Sequence, residues 1–146
     1  MTRLAPLLLA LLGLLAATPL HAQATQAQLE RFVGSVAHLW AAGDAGAIAD
    51  LAPDEGQILL DTGSGSESVN SRHAAAALRA LFGDRQAASA RLVRATLAGG
   101  RPARGFGQLE WAFRARGAPM TQSQTVYIGA VWTGSQWRIS EIRVIP

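Results

Sequence analysis

Three residues in this sequence have the chemistry of an acid–base site: Asp61, Glu141 and Tyr127. Proton abstraction needs a carboxylate or histidine base, and the anion that forms needs a hydrogen-bond donor such as a tyrosine hydroxyl. Each residue also has a simpler interpretation, which the sequence favours. Asp61 precedes the run Gly-Ser-Gly-Ser at 63–66 and can bond the backbone of that turn. Glu141 can pair with an arginine, and Tyr127 can pack in the core or an interface.

Metal and cofactor chemistry have weaker support. His38 and His73 both fall away from the apolar stripes of their predicted helices, so we expect surface positions, no metal site and no cofactor. The run at 63–66 lacks the Lys-Ser/Thr ending of a phosphate loop. The chain has no cysteine, which excludes disulfides, thiolate zinc sites, cysteine nucleophiles and a lipid-bearing cysteine.

The tryptophans are candidates for a ligand wall. Four occur, and we single out Trp40 and Trp111, together with Tyr127, as ligand-binding candidates for a small apolar molecule. Four tryptophans in a small domain more often fill its core, and that alternative stays open here.

Residues 1–24 are predicted to be a secretory signal peptide. Arg3 precedes an apolar run from Leu4 to Ala17, and small residues follow. We expect cleavage before Thr25, with cleavage after Ala22 or an uncleaved anchor helix as alternatives. The mature protein would be periplasmic or secreted and free of the membrane.

The remaining residues, 25–146, suffice for one domain. The full chain carries 13 basic residues, all arginine, against 10 acidic ones. So small an excess does not indicate a nucleic-acid partner, because electrostatic binding needs a clustered basic face.

The hydrophobic periodicity predicts helices first and strands afterwards. Helices are expected over 25–42, from Asp44 to Pro53, and from Asn70 or Ser71 to Phe82. Strands are expected over 58–60, 90–97, 106–115, 125–132 and 136–145. Both faces of the 125–132 strand are apolar, so we expect both to be covered. Apolar residues change parity within the last strand, which indicates a bulge or a second buried face. The pattern is that of an α+β domain whose antiparallel sheet curls around its helices.

Three segments carry a resemblance to a known family: Trp-Ala-Ala-Gly-Asp at 40–44, the helix at 71–82, and Trp-Arg-Ile-Ser-Glu-Ile-Arg at 137–143. They resemble the nuclear transport factor 2-like, cystatin-related superfamily, most closely its exported bacterial branch of unknown function. The resemblance implies a cone-shaped half-barrel whose mouth can hold a small molecule, and a sheet face that pairs two copies. It implies no single activity, because this fold hosts isomerases, dehydratases, transport factors and partner-binding modules.

These observations lead to a non-enzymatic exported module that binds a small apolar ligand or an exported partner protein as a homodimer. The alternative is a small-molecule isomerase or dehydratase with Asp61 or Glu141 as the base and Tyr127 as the hydrogen-bond donor. The first helix lacks the tyrosine that the resemblance to ketosteroid isomerase would require. A third possibility is a scaffold that recruits another exported protein through the apolar third strand of the predicted meander.

Overall fold

The computed structural model describes residues 23–146, so the predicted signal peptide lies outside the described residues except for Gln23 and Ala24. Three helices and six strands occur within this range, in the order α1 (Gln26–Ala41), α2 (Ala45–Ala49), β1 (Ile58–Asp61), β2 (Glu67–Val69), α3 (Ser71–Gly83), β3 (Arg85–Gly99), β4 (Arg104–Ala115), β5 (Thr121–Trp132) and β6 (Trp137–Ile145). None of these helices is long and apolar enough to cross a membrane.

Each helix begins at a side chain that accepts a backbone hydrogen bond. Thr25 accepts from the Gln28 N–H at 3.2 Å, and the Gln28 side chain accepts in return from the Thr25 N–H at 2.9 Å. This capping box satisfies two of the free donors at the start of α1. Asp44 and Asn70 cap α2 and α3 in the same way, through the N–H groups of residues 47 and 73. The predicted helix starts are therefore correct to within a residue.

The six strands form one curved sheet in the order β2-β1-β6-β5-β4-β3. Neighbouring strands are antiparallel except β1 and β6, which run parallel. The α+β class with a curved sheet around its helices is confirmed, and the parallel pair of β1 and β6 is the one departure from the expected antiparallel sheet. The last strand of the chain lies beside the first, and this pairing has no short turn to fix its direction.

One face of the sheet, here called the inner face, packs against the helices. Its core includes Leu29 and Val33 of α1 and Leu109 of β4, all fully buried. Two glycines of β4 allow α1 to lie this close. A Cβ on Gly105 would lie 2.6 Å from Leu29 Cδ1, and one on Gly107 would meet Val33 Cγ1.

The other face, here called the outer face, is open to solvent. The expectation that both faces of β5 are covered is wrong for a single chain, because Tyr127 on its outer face is 38% exposed. Of the two alternatives for the last strand, a bulge or a second buried face, the structure has the bulge. Gly129 pairs with Glu141 and Ala130 with Ile139, so Ser140 is the extra residue.

The start of α1 is joined to the edge strand β3 by one side chain. Gln26 Nε2 donates to the Ala95 carbonyl at 2.7 Å, and Gln26 Oε1 accepts from the Leu97 N–H at 3.0 Å. A single amide thus satisfies a backbone acceptor and a backbone donor of the same strand.

Candidate functional site

A pocket of about 490 Å³, here called the mouth pocket, opens where two hairpin turns meet the start of α1. Leu97 and Ala103 line it from either side of the β3–β4 turn, and Trp132 lines it from the end of β5. Pro102 adds apolar surface, and Arg101 lies at the same pocket. The pocket therefore has an apolar wall with one guanidinium beside it.

Backbone bonds hold the two turns together. The Trp132 N–H donates to the Ala103 carbonyl at 2.9 Å, which extends the β4–β5 pairing to the rim of the pocket. The Trp132 ring packs edge-on against Trp137, with ring centroids 5.5 Å apart. Gly99 and Gly134, with φ of 76° and 98°, allow the chain to turn tightly on both sides. The wall of the mouth pocket is consequently built on ordered hairpins.

The residue patterns did not indicate this pocket, and the family resemblance implied only that the mouth of the cone can hold a small molecule. The turns at Gly99–Pro102 and Thr133–Ser135 were recognisable, but they lie about thirty residues apart, and only the pairing of β4 with β5 brings them together. Trp132 was one of four tryptophans in the sequence, without a signal that it would border this pocket.

The outer face carries two neighbouring depressions that share Phe106 and Tyr127. The first, of about 440 Å³, lies toward β6 and is lined also by Gly129 and Glu141. The second, of about 210 Å³, lies toward β3 and is lined also by Gln108. Phe106 and Tyr127 therefore form a ridge with a depression on either side. Their exposures are 48% and 38%.

All three residues of the acid–base hypothesis lie on this outer face. In the sheet register, Arg143 lies opposite Tyr127 on β5 and opposite Asp61 on β1. Glu141 is the preceding outward-facing residue of the regular alternation on β6. Glu141 and Tyr127 line the same depression, and Glu141 Oε1 forms an ion pair with Arg143 Nη2 at 2.7 Å. The depression is an open surface feature, and Asp61 does not line it.

Asp61 is engaged by its own turn. Its Oδ1 accepts from the Gly63 N–H at 2.9 Å, and its Oδ2 accepts from Ser66 Oγ at 3.2 Å. The Gly63 hydrogen bond is the main cause that lowers the pKa of Asp61 below its ordinary value of 3.8, and Ser66 adds to it. A carboxylate stabilised as the anion in this way is a weaker base, so the turn interpretation accounts for Asp61.

The structure places Trp40 and Trp111 in the core. Both side chains are fully buried, with ring centroids 5.5 Å apart in an edge-to-face arrangement. Phe82 meets both rings edge-on, at 5.2 and 5.9 Å. Neither indole N–H has an oxygen acceptor among residues 23–146, and edge-to-face packing is the geometry in which a ring π face can take that place. A ligand that contacted either ring would have to displace core side chains.

The two histidines lie on helix surfaces. His38 is exposed beside Arg31 and Ser35 on α1, and His73 is exposed in the first turn of α3. Within residues 23–146 no three His, Asp or Glu side chains converge on one point where a metal ion could be held.

No protein-family model and no curated protein matches the sequence. Solved structures do. A DUF4783 family protein from Bacteroides ovatus superposes with a TM-score of 0.61 at 15% identity, over 75% of this chain and 89% of that one. An NTF2-like protein with a cystatin-like fold from Novosphingobium aromaticivorans gives 0.56 at 18% identity, over 81% and 79%.

A protein from Catenulispora acidiphila with a ketosteroid isomerase-like fold, solved in complex with trimethylamine, gives a TM-score of 0.61 at 12% identity over 78% of this chain and 83% of that one. Such low identities establish the architecture and no shared activity. The described chain has the nuclear transport factor 2-like, cystatin-like fold.

Proposed function

We propose that this protein is an exported, non-enzymatic binding module that holds a small apolar molecule in the mouth pocket and works as a homodimer. The observation that carries the proposal is the apolar wall formed by Leu97, Ala103 and Trp132. At about 490 Å³ the pocket falls within the range of small-molecule sites, roughly 300 to 1,000 Å³.

The chemistry of the wall favours an amphipathic ligand. Leu97, Pro102 and Trp132 offer aliphatic and aromatic surface that gains free energy when water is displaced. Arg101 supplies a permanent positive charge at the same pocket, and a guanidinium pairs well with a carboxylate or sulfonate. The ligand that fits best therefore has an apolar body and an anionic end.

Two residues of the mouth pocket belong to the predicted signal peptide. Gln23 and Ala24 form part of its lining, and they are the last residues of the predicted signal peptide. Cleavage before Thr25 would remove them and widen the pocket, while the capping box of α1 keeps both its side chains. Export itself rests on the sequence pattern of residues 1–24.

The acid–base alternative has less support. It would need a sheltered base beside the Tyr127 hydroxyl, since water exclusion strengthens such chemistry. Glu141 lines the same depression as Tyr127, but it is paired with Arg143 and the depression is open. Asp61 is committed to its own turn.

Native mass spectrometry of the protein purified from a periplasmic extract tests the proposal directly. We expect a chain that begins at Thr25, a dimer mass, and a retained small molecule. A chain that still begins at Met1 would contradict cleavage of the predicted signal peptide. A ligand-free mass would require a defined probe to decide the binding claim.

The probe is 8-anilinonaphthalene-1-sulfonate, an apolar anion of the expected kind. We expect one binding site per chain and at least a tenfold loss of affinity in Leu97→Ser. Val93→Ser is the matched control, because Val93 lies on the same strand, is 47% exposed and does not line the pocket. Equal effects of the two substitutions, at unchanged melting temperature, would place the probe elsewhere and refute the pocket.

A further inference from the structure

One row of residues crosses the outer face with opposite charges at its two ends. Pairing from β3 to β1 sets Arg94, Gln108, Tyr127, Arg143 and Asp61 side by side. Tyr127 lies at the middle of the row, on β5. Among the described residues, the Arg94 guanidinium donates to the uncharged Gln108 Oε1 at 3.1 Å, and the side chain is exposed.

We propose that a second copy of this chain docks on the outer face about a two-fold axis that runs along β5. This inference rests on the homodimer of the proposed function and gives its geometry. An axis along β5 exchanges the two halves of the row, so that β3 and β4 of one copy face β1 and β6 of the other. Arg94 of each copy then faces Asp61 of the other, twice in each dimer.

The charge distribution selects this axis over the perpendicular one. An axis across the strands would lay each β3–β4 hairpin over its own counterpart. The outer face of that hairpin carries four arginines and one acid, which are Arg91, Arg94, Arg104, Arg114 and Glu110. Glu110 is already paired with Arg91, at 2.6 Å. Hairpin-on-hairpin docking would therefore stack like charges, which disfavours association.

The shape of the outer face also favours the axis along β5. The ridge of Phe106 and Tyr127 lies beside the depression that Gly129 and Glu141 line. Exchange of the two sides of β5 lays Phe106 of each copy over that depression in the other, while Tyr127 lies on the axis and meets its own counterpart. A two-fold interface needs such self-complementarity, because each patch must fit itself.

Cysteine cross-linking distinguishes the two axes, and the chain offers a clean background because it has no cysteine. We expect the double variant Arg94→Cys/Asp61→Cys to give a covalent dimer with a short bismaleimide, seen as a doubled intact mass. A bismaleimide is used because facing positions of two packed sheets lie ~10 Å apart, beyond the roughly 7 Å limit for a disulfide. Within one copy the two positions are four strands apart, about 19 Å at ~4.8 Å for each step, and a link inside one copy would leave the intact mass of a single chain.

Each single variant is the control for the other. Neither Arg94→Cys nor Asp61→Cys alone should give a covalent dimer, because the proposed axis keeps like positions apart. A covalent dimer from Arg94→Cys alone would show hairpin-on-hairpin docking and overturn the inference. A wild-type dimer in sedimentation whose double variant fails to cross-link would overturn the axis but leave the homodimer. A wild-type monomer at all concentrations would overturn both and assign the face to another partner.

Charge exchange gives an independent check. Arg94→Asp and Asp61→Arg should each weaken the dimer about tenfold or more, and their combination should recover most of the loss. Arg114→Asp makes the same change of charge on the same face, at a position two outward steps beyond Glu110. It should have a much smaller effect. An equal loss in all three single variants, without recovery in the combination, would refute the Arg94–Asp61 contact.

Discussion

The inner and outer faces of the sheet are built by the same strands and both carry aromatic rings, yet the rings are buried on the inner face and exposed on the outer face. Trp111 and Phe113 on the inner face of β4 are at most 1% exposed, whereas Phe106 on the outer face of the same strand is 48% exposed. Glycines mark the difference. Gly105 and Gly107 admit α1 on the inside, while Gly129 forms part of a depression on the outside. An aromatic residue's role therefore depends on its parity and on the space that neighbouring glycines leave.

Truncation of one aromatic ring on each face tests the comparison most strongly. Trp111→Ala removes a fully buried ring that packs against Trp40, Phe82 and Phe113, so the free energy of unfolding should fall by about 3 kcal/mol or more. Tyr127→Ala, measured by denaturant unfolding at low protein concentration, should cost less than about 1 kcal/mol. An unchanged melting temperature in Trp111→Ala would contradict the assignment of this ring to the core.

A methyl group added at two glycines sharpens the comparison on the α1 side. In Gly107→Ala the new Cβ would collide with the branched, stiff Val33 side chain, so we expect a loss of about 1 to 3 kcal/mol. Gly34→Ala is the control on α1 itself, where the new Cβ meets nothing within 4 Å. A helix gains about 0.5 to 1 kcal/mol from that change. If Gly107→Ala and Gly34→Ala both raise the melting temperature, α1 does not lie against Gly107.

The smallest effect concerns Asp61 on the outer face. Its folded-state pKa is lowered by the Gly63 hydrogen bond, so the stabilisation is present above the unfolded pKa near 4 and is lost as the pH falls through the folded value. Melting temperatures between about pH 5 and pH 2 should therefore fall more steeply in the wild type than in Asp61→Asn. Glu67→Gln, another exposed carboxylate of the same edge, is the control. Parallel curves for wild type and Asp61→Asn would mean that the turn hydrogen bond does not favour the charged form.

Local patterns in the sequence predicted the parts of the fold that local chemistry determines. The starts of α2 and α3 followed from side chains that can accept from the third residue beyond, as Asp44 and Asn70 do. The bulge at Ser140 followed from a change of parity between Ile139 and Ile142, because a strand can bury both residues on one side only by adding a residue.

Pairings between distant segments were beyond the reach of these patterns. β2 has three residues and no apolar alternation, and only its antiparallel pairing with β1 makes it a strand. β3 begins at Arg85 rather than at residue 90, and a register shift between Ala87 and Ser89 interrupts the alternation in the part that was missed. The predicted site residues are likewise explained in part. Tyr127 and Glu141 do meet on one surface, whereas the mouth pocket depends on two turns whose meeting is a property of the assembled sheet.

The amide of Gln26 has a consequence for how the folded chain avoids joining others. An exposed edge strand offers free N–H and C=O groups on which a foreign strand can template, the first step toward aggregation. Gln26 occupies one donor and one acceptor of β3 at Ala95 and Leu97, so an incoming strand finds the ladder interrupted there. Gln26 lies near the start of the domain, and the strand that it protects comes much later in the sequence. During synthesis from the N-terminus, the protecting side chain is therefore present before the edge strand is made.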